Sequence, residues 1–215
     1  MIVNETVTGL IVIVIGYLLG SVNTAYIVTR LVKGEDIRKL GGGNAGGRNV
    51  YRSVGLWAAV PVAFFDIGKG VASVAIASWL LDVPLYQPDM LVYGAGLAAV
   101  AGHMWSVYLK FTGGNGLAAS IGVLVMTLRW ELLIVLGIML VLTVIIRNPV
   151  LSLNIGLLSL PVSSWFLEKD WIPVVFTAIL IVIMVLNFIP TARKALSQAG
   201  TAKNLQEELL RHDSQ

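Results

Sequence analysis

The chain has 215 residues, 57% of them hydrophobic and 13% charged, with a formal net charge of +3. A soluble domain carries roughly 25% charged residues, so this composition reads as an all-α integral membrane protein rather than a soluble enzyme or a nucleic-acid-binding module. The absence of cysteine rules out disulfides, a thiolate nucleophile and cysteine metal sites, and two histidines, His103 and His212, are too few for a histidine-built metal centre, so no metal is expected.

Seven apolar segments can be read as transmembrane helices, forming a single polytopic domain over residues 1–190. The first, Thr8 to Val28, has no basic flank of the kind that precedes a cleaved signal peptide. It carries Gly16 and Gly20 for close helix packing and Asn23 as interhelical glue. A charged loop follows, with "GGGNAGGRNVYR" from Gly41 to Arg52 placing five glycines in seven residues. The second segment, Leu56 to Leu81, contains "FDIGKG", in which Asp66 and Lys69 stand three apart on one helical face and suit an ion pair. The third, Met90 to Leu109, holds Gly94 and Gly96 for packing and His103, whose imidazole titrates near neutrality and is a candidate general base or a hydrogen-bonded packing residue. Next comes "KFTGGNG" from Lys110 to Gly116, and then Leu117 to Leu128. This twelve-residue segment is only about 18 Å long, against a hydrocarbon core of about 30 Å. Trp130 to Ile146, Val150 to Leu167 (with Asn154 as a second glue residue) and Trp171 to Ile189 complete the set. The polar tail 191–215 brings Leu205, Leu209 and Leu210 near one helical face and suits a short helix on the inner leaflet.

Basic residues fix the expected orientation. With the first loop cytoplasmic, that side collects thirteen: Arg30, Lys33, Arg38, Lys39, Arg48, Arg52, Lys69, Lys110, Arg147, Arg193, Lys194, Lys203 and Arg211. Only Arg129 and Lys169 remain outside, so the N-terminus is expected outside and the C-terminus in the cytoplasm.

Both glycine loops then face the same compartment. The short fourth helix would begin inside the membrane and present its free N–H groups and positive dipole end to a cytoplasm-facing cavity. Glycines let a phosphate approach the backbone, while Arg38, Lys39, Arg48 and Arg52 supply charge and guanidinium forks. The spacing is not that of a nucleotide P-loop. Taken alone, the first loop is equally read as a flexible linker with positive-inside anchors; the second loop favours one shared anion pocket.

The ordered series "GSVNTAY", "DIRKLGGGNAGGRNVYRSVG", "FDIGKG", "GHMWSVYLKFTGGNGLAAS" and "IIRNPVLSL" resembles the bacterial acyl-phosphate-dependent glycerol-3-phosphate acyltransferases, the PlsY family, over about Gly20 to Leu153. The resemblance implies a seven-span fold with the N-terminus outside. It also implies transfer of a fatty acyl group from acyl phosphate to glycerol 3-phosphate, or a related phosphorylated acceptor, in phospholipid synthesis without metal, coenzyme A or other cofactor. His103 and Asn49 are the candidate catalytic residues, and Arg38, Gly43, Asn44, Arg48, Arg52, Lys69, Gly113, Gly114 and Gly116 the candidate substrate-binding residues.

Several positions depart from the family pattern. Gly42 stands where the family has serine, Arg48 where it has threonine, and Thr112 and Asn115 where it has lysines; Asn187 and Pro190 fall where it usually has histidine and asparagine. These exchanges keep a second reading open, a homologue that binds a phosphate-bearing lipid or metabolite without turnover. The half-span entered through a glycine loop keeps a third, a transporter, although no inverted repeat or second broken segment is visible.

Overall fold

The computed structural model describes residues 2–199. Among the described residues, ten α-helices run in order: α1 (Ile2–Ser21), α2 (Thr24–Lys33), α3 (Gly47–Ser53), α4 (Leu56–Leu81), α5 (Met90–Met104), α6 (Leu117–Thr127), α7 (Arg129–Ile146), α8 (Pro149–Leu157), α9 (Leu160–Glu168) and α10 (Trp171–Ala199). Short 3₁₀ turns cover Ile37–Lys39 and Val107–Leu109.

Three of the expected spans are divided or shortened. The first breaks at Val22–Asn23, and polar side chains satisfy the groups this frees. Asn23 caps α2 by accepting from the Tyr26 N–H at 2.8 Å, while Lys69 Nζ donates to the Val22 carbonyl at 3.0 Å and Ser106 Oγ to the Ser21 carbonyl at 2.6 Å. The third ends at Met104, and the chain then turns through Lys110 and Phe111, both at positive φ. The sixth divides at Leu158–Ser159 with a 47° bend, because Pro161 at the start of α9 has no N–H to continue the ladder. A second broken segment therefore does exist. The last helix passes through Pro190 to Ala199, beyond the expected end at Ile189; residues Leu205, Leu209 and Leu210 of the tail lie outside the described residues.

Among the described residues, four stretches are long and apolar enough to cross a bilayer, or five when the bent α8–α9 pair counts as one. Helices α5 and α6, of 15 and 11 residues, are shorter apolar elements. Leu140, Val144, Phe166 and Trp79 stand on outward faces, as expected where lipid rather than protein covers the surface.

Packing is closest in two helix pairs. A Cβ at Gly20 of α1 would overlap the Ala99 carbonyl of α5, and one at Gly122 of α6 would overlap the Ile67 carbonyl of α4. Only glycine permits these backbone approaches. Gly16 likewise faces the Ala95 backbone, whereas Gly94 and Gly96 meet side chains of Ile13 and Val123. Asn154 does not act between helices: its amide donates to the Val150 carbonyl of its own helix at 2.8 Å. One large core joins Val12, Val92, Val123, Leu124, Leu160 and Leu180. A smaller one, with Ala25, Ile37, Ala45, Val50, Val62 and Leu109, seats the first glycine loop against α2, α3 and α4.

Candidate active site

The first glycine loop is built around Asn49. From α3 its Nδ2 donates to the carbonyls of Ile37 (3.0 Å), Leu40 (3.0 Å) and Asn44 (2.8 Å), and its Oδ1 accepts from the Gly42 N–H at 3.1 Å. The side chain is buried, and every polar atom braces the loop. Gly41 and Gly43 lie at φ +48° and +78°, the left-handed region that L side chains rarely adopt. The loop is thus a fixed structure.

The second loop folds onto the first. Ala45 N–H donates to the Gly113 carbonyl at 3.0 Å, Asn44 Nδ2 to Asn115 Oδ1 at 3.0 Å, and Arg38 Nη1 to Thr112 Oγ1 at 2.8 Å. Asn23 reaches from the α1–α2 break to the Ala45 carbonyl at 3.0 Å. On the far side, Gly114 N–H donates to the His103 carbonyl at 3.0 Å and its own carbonyl accepts from Asn187 Nδ2 of α10 at 3.2 Å. Gly116, at φ +85°, then opens α6, whose first N–H groups lack intrahelical acceptors.

Beneath the loops lies a buried charged cluster. Asp66 Oδ1 accepts from Lys69 Nζ at 2.9 Å and from Thr24 Oγ1 at 2.8 Å, and stands 3.6 Å from Nδ1 of His103. The last separation is ion-pair range but longer than a hydrogen bond. The other imidazole nitrogen lies against the second loop, since a Cβ at Gly114 would overlap Nε2 of His103. The pairing of Asp66 with Lys69 read from their spacing is therefore present, and it also holds the break in the first span.

Arg38, Gly43, Asn44, Asn49, Lys69, His103, Gly113, Gly114 and Gly116 all belong to this assembly. Arg48 and Arg52 are half-buried and engaged on α3, the helix that carries Asn49. Outside the membrane segments, hydrogen bonding to Arg38 holds the Asp36 carboxyl below its ordinary range, and Asp36 in turn raises Arg38. Sequence reasoning missed Thr24, Ser106 and Asn115 as partners. The Asn-Thr pair after "GSV" carried a usable signal, because an Asn N-cap marks a helix start.

An apolar cavity of about 250 Å³ lies between α8 and α10, lined by Leu151, Asn154, Ile155, Leu158, Met184 and Phe188. Met184 also accepts a long contact from Ser120 Oγ of α6 at 3.8 Å, which ties the cavity wall to the helix that the second loop opens.

Over residues 10–198 the chain matches the family model described as glycerol-3-phosphate acyltransferase. It is 36% identical over 198 residues to glycerol-3-phosphate acyltransferase 1 of Dehalococcoides mccartyi, covering 90% of this chain and 93% of that protein. It is 43% identical over 141 residues to the glycerol-3-phosphate acyltransferase of Thermoanaerobacter sp., covering 66% and 67%. Its fold matches the crystal structure of PlsY, an integral membrane glycerol 3-phosphate acyltransferase, in the glycerol 3-phosphate form, with a TM-score of 0.77 and 25% identity over 88% of this chain and 92% of that one. Together with the interlocked glycine loops, these matches show that the chain belongs to the glycerol-3-phosphate acyltransferase family.

Proposed function

We propose that this protein transfers a fatty acyl group from acyl phosphate to glycerol 3-phosphate, yielding lysophosphatidate and inorganic phosphate in phospholipid synthesis. The observation that carries this reading is the interlocking of the two glycine loops over a buried Asp66–Lys69–His103 cluster. Phosphate headgroups sit against the α6 N-terminus, Arg48 and Arg52, while the acyl tail lies in the apolar cavity between α8 and α10.

The first hydroxyl of glycerol 3-phosphate attacks the acyl carbonyl carbon, the carbonyl-to-phosphate C–O bond breaks, and inorganic phosphate leaves. His103 accepts the hydroxyl proton through Nε2, the nitrogen on the loop side, and the N–H groups that open α6 offset the negative charge that develops on the carbonyl oxygen. Asn49 acts by holding the first loop in shape. Acyl phosphate brings its own good leaving group, so the chemistry calls for no metal or coenzyme.

The chain crosses the bacterial inner membrane seven times, with α1–α2 as one span, α5 and α6 as short spans and α8–α9 as a bent one, and the site faces the cytoplasm. A reporter after Gln215 is expected to read cytoplasmic and one at Gln87 external; both on one side would end this topology. The activity test is release of inorganic phosphate from acyl phosphate by the purified protein across a panel of phosphorylated polyols. Formation of lysophosphatidate with glycerol 3-phosphate supports the proposal, and no release with any acceptor contradicts it.

A further inference from the structure

Arg38 looks at first like a phosphate ligand: it is cationic and stands beside a glycine loop. Its donors are already committed. Nε bonds Asp36 Oδ1 and Oδ2 at 3.0 and 3.1 Å, Nη2 bonds Asp36 Oδ2 at 2.6 Å, and Nη1 reaches across to the Leu109 carbonyl at 3.0 Å and Thr112 Oγ1 at 2.8 Å. Four of the five guanidinium N–H groups are used in this way. The ring of Tyr26 on α2 lies 5.6 Å beneath the guanidinium carbon, and Asp36 offsets its charge.

These bonds link distant parts of the chain. Asp36 and Arg38 belong to the entry of the first loop, whereas Leu109 and Thr112 form the entry of the second; Thr112 is itself held by donating to Leu109 at 2.7 Å. A second tie, Asn44 to Asn115, runs parallel to this one at the loop tips. We infer that Arg38 is a positioning residue that latches the two glycine loops together rather than a ligand of the acceptor's phosphate. That phosphate rests on the proposed function; the latch does not.

The planar fork is essential to this role. Lysine keeps the charge but cannot hold Asp36 with two nitrogens while a third reaches two acceptors on the other loop. A phosphate ligand would behave differently, because a lysine there would still attract the anion.

The test uses the full chain in detergent as wild type, Arg38→Gln, Arg38→Lys, Thr112→Val and the Arg38→Gln/Thr112→Val double variant. Two quantities are read: the unfolding midpoint without substrate, and binding of glycerol 3-phosphate by calorimetry. The latch predicts that each single variant lowers the midpoint by about 2–4 °C and that the double variant falls by clearly less than the sum, because both changes remove one shared bond. It also predicts that Thr112→Val weakens binding several-fold although every cation is retained, and that Arg38→Lys weakens it as much as Arg38→Gln. Additive midpoints, or wild-type affinity in either Thr112→Val or Arg38→Lys, would overturn the inference. Should Arg38→Gln fail to fold, Thr112→Val decides alone. The midpoints need no substrate, so a protein without transferase activity would refute the functional reading and leave the coupling result standing.

Discussion

The loop-bearing part of the molecule and the helices α7 to α10 are held together by different means. Around the loops, polar side chains cross between segments remote in sequence: Asn23 to Ala45, Thr24 to Asp66, Lys69 to Val22, Arg38 to Thr112, Ser106 to Ser21. In α7 to α10 the hydrogen bonds of Asn154, Ser159, Ser163 and Thr177 return to carbonyls three or four residues back, and the contacts between helices are made by groups such as Leu160, Phe176 and Leu180. Directional bonds fix where the buried polar groups stand; apolar packing fixes only that the helices stay together. Substitutions in the first region are therefore expected to alter both geometry and chemistry, whereas those in the second alter stability.

The largest effect is expected at Asp66. Asp66→Ala would leave the Lys69 ammonium buried without its partner and is expected to cost about 3–5 kcal/mol, read as a lowered unfolding midpoint with loss of transferase activity. A midpoint near that of the wild type would show that the cluster is not what holds the α1–α2 break. In the apolar region, Leu160→Ala is expected to cost about 2–5 kcal/mol through its cavity while the folded fraction keeps its KM for glycerol 3-phosphate; a raised KM would erase the contrast between the regions.

Gly114→Ala sharpens the comparison at one atom, since the added methyl meets His103 Nε2 and the Ala45 carbonyl. Displacing the second loop in this way is expected to lower kcat/KM about 100-fold with a modest change in midpoint. Equal activity would remove His103 from the reaction. Arg52→Gln is expected to weaken glycerol 3-phosphate binding by about 1.5–3 kcal/mol, the value of one charged hydrogen bond, measured by calorimetry. The smallest change belongs to Thr177→Val, at a buried position on α10, which loses only bonds to its own helix and is expected to cost about 1 kcal/mol in stability.

Much of this contrast was legible in the sequence, and its limits follow from the kind of information each region carries. Apolar runs located the helices, and paired glycine loops on the basic side pointed to one pocket. The break at Val22–Asn23 was hidden because apolar residues continue across it while the groups that satisfy it come from Lys69 and Ser106. Thr112 and Asn115 read as missing cations; their partners, Arg38 and Asn44, lie 74 and 71 residues away, and no local pattern records such a bond. Pro190 reads as a helix end, yet α10 continues through it to Ala199. Asn154 reads as interhelical glue, but an asparagine can equally turn back on its own helix, as it does here.

The proposed function requires the two glycine loops to form one anion site. Hydrogen exchange of the purified protein with and without glycerol 3-phosphate tests it directly, reporting separately on Gly41 to Gly47 and on Thr112 to Gly116. A single site predicts slowed exchange in both segments over the same ligand concentrations, because the loops already share the Ala45–Gly113 and Asn44–Asn115 bonds. Protection confined to one segment, or absent from both, would contradict the account.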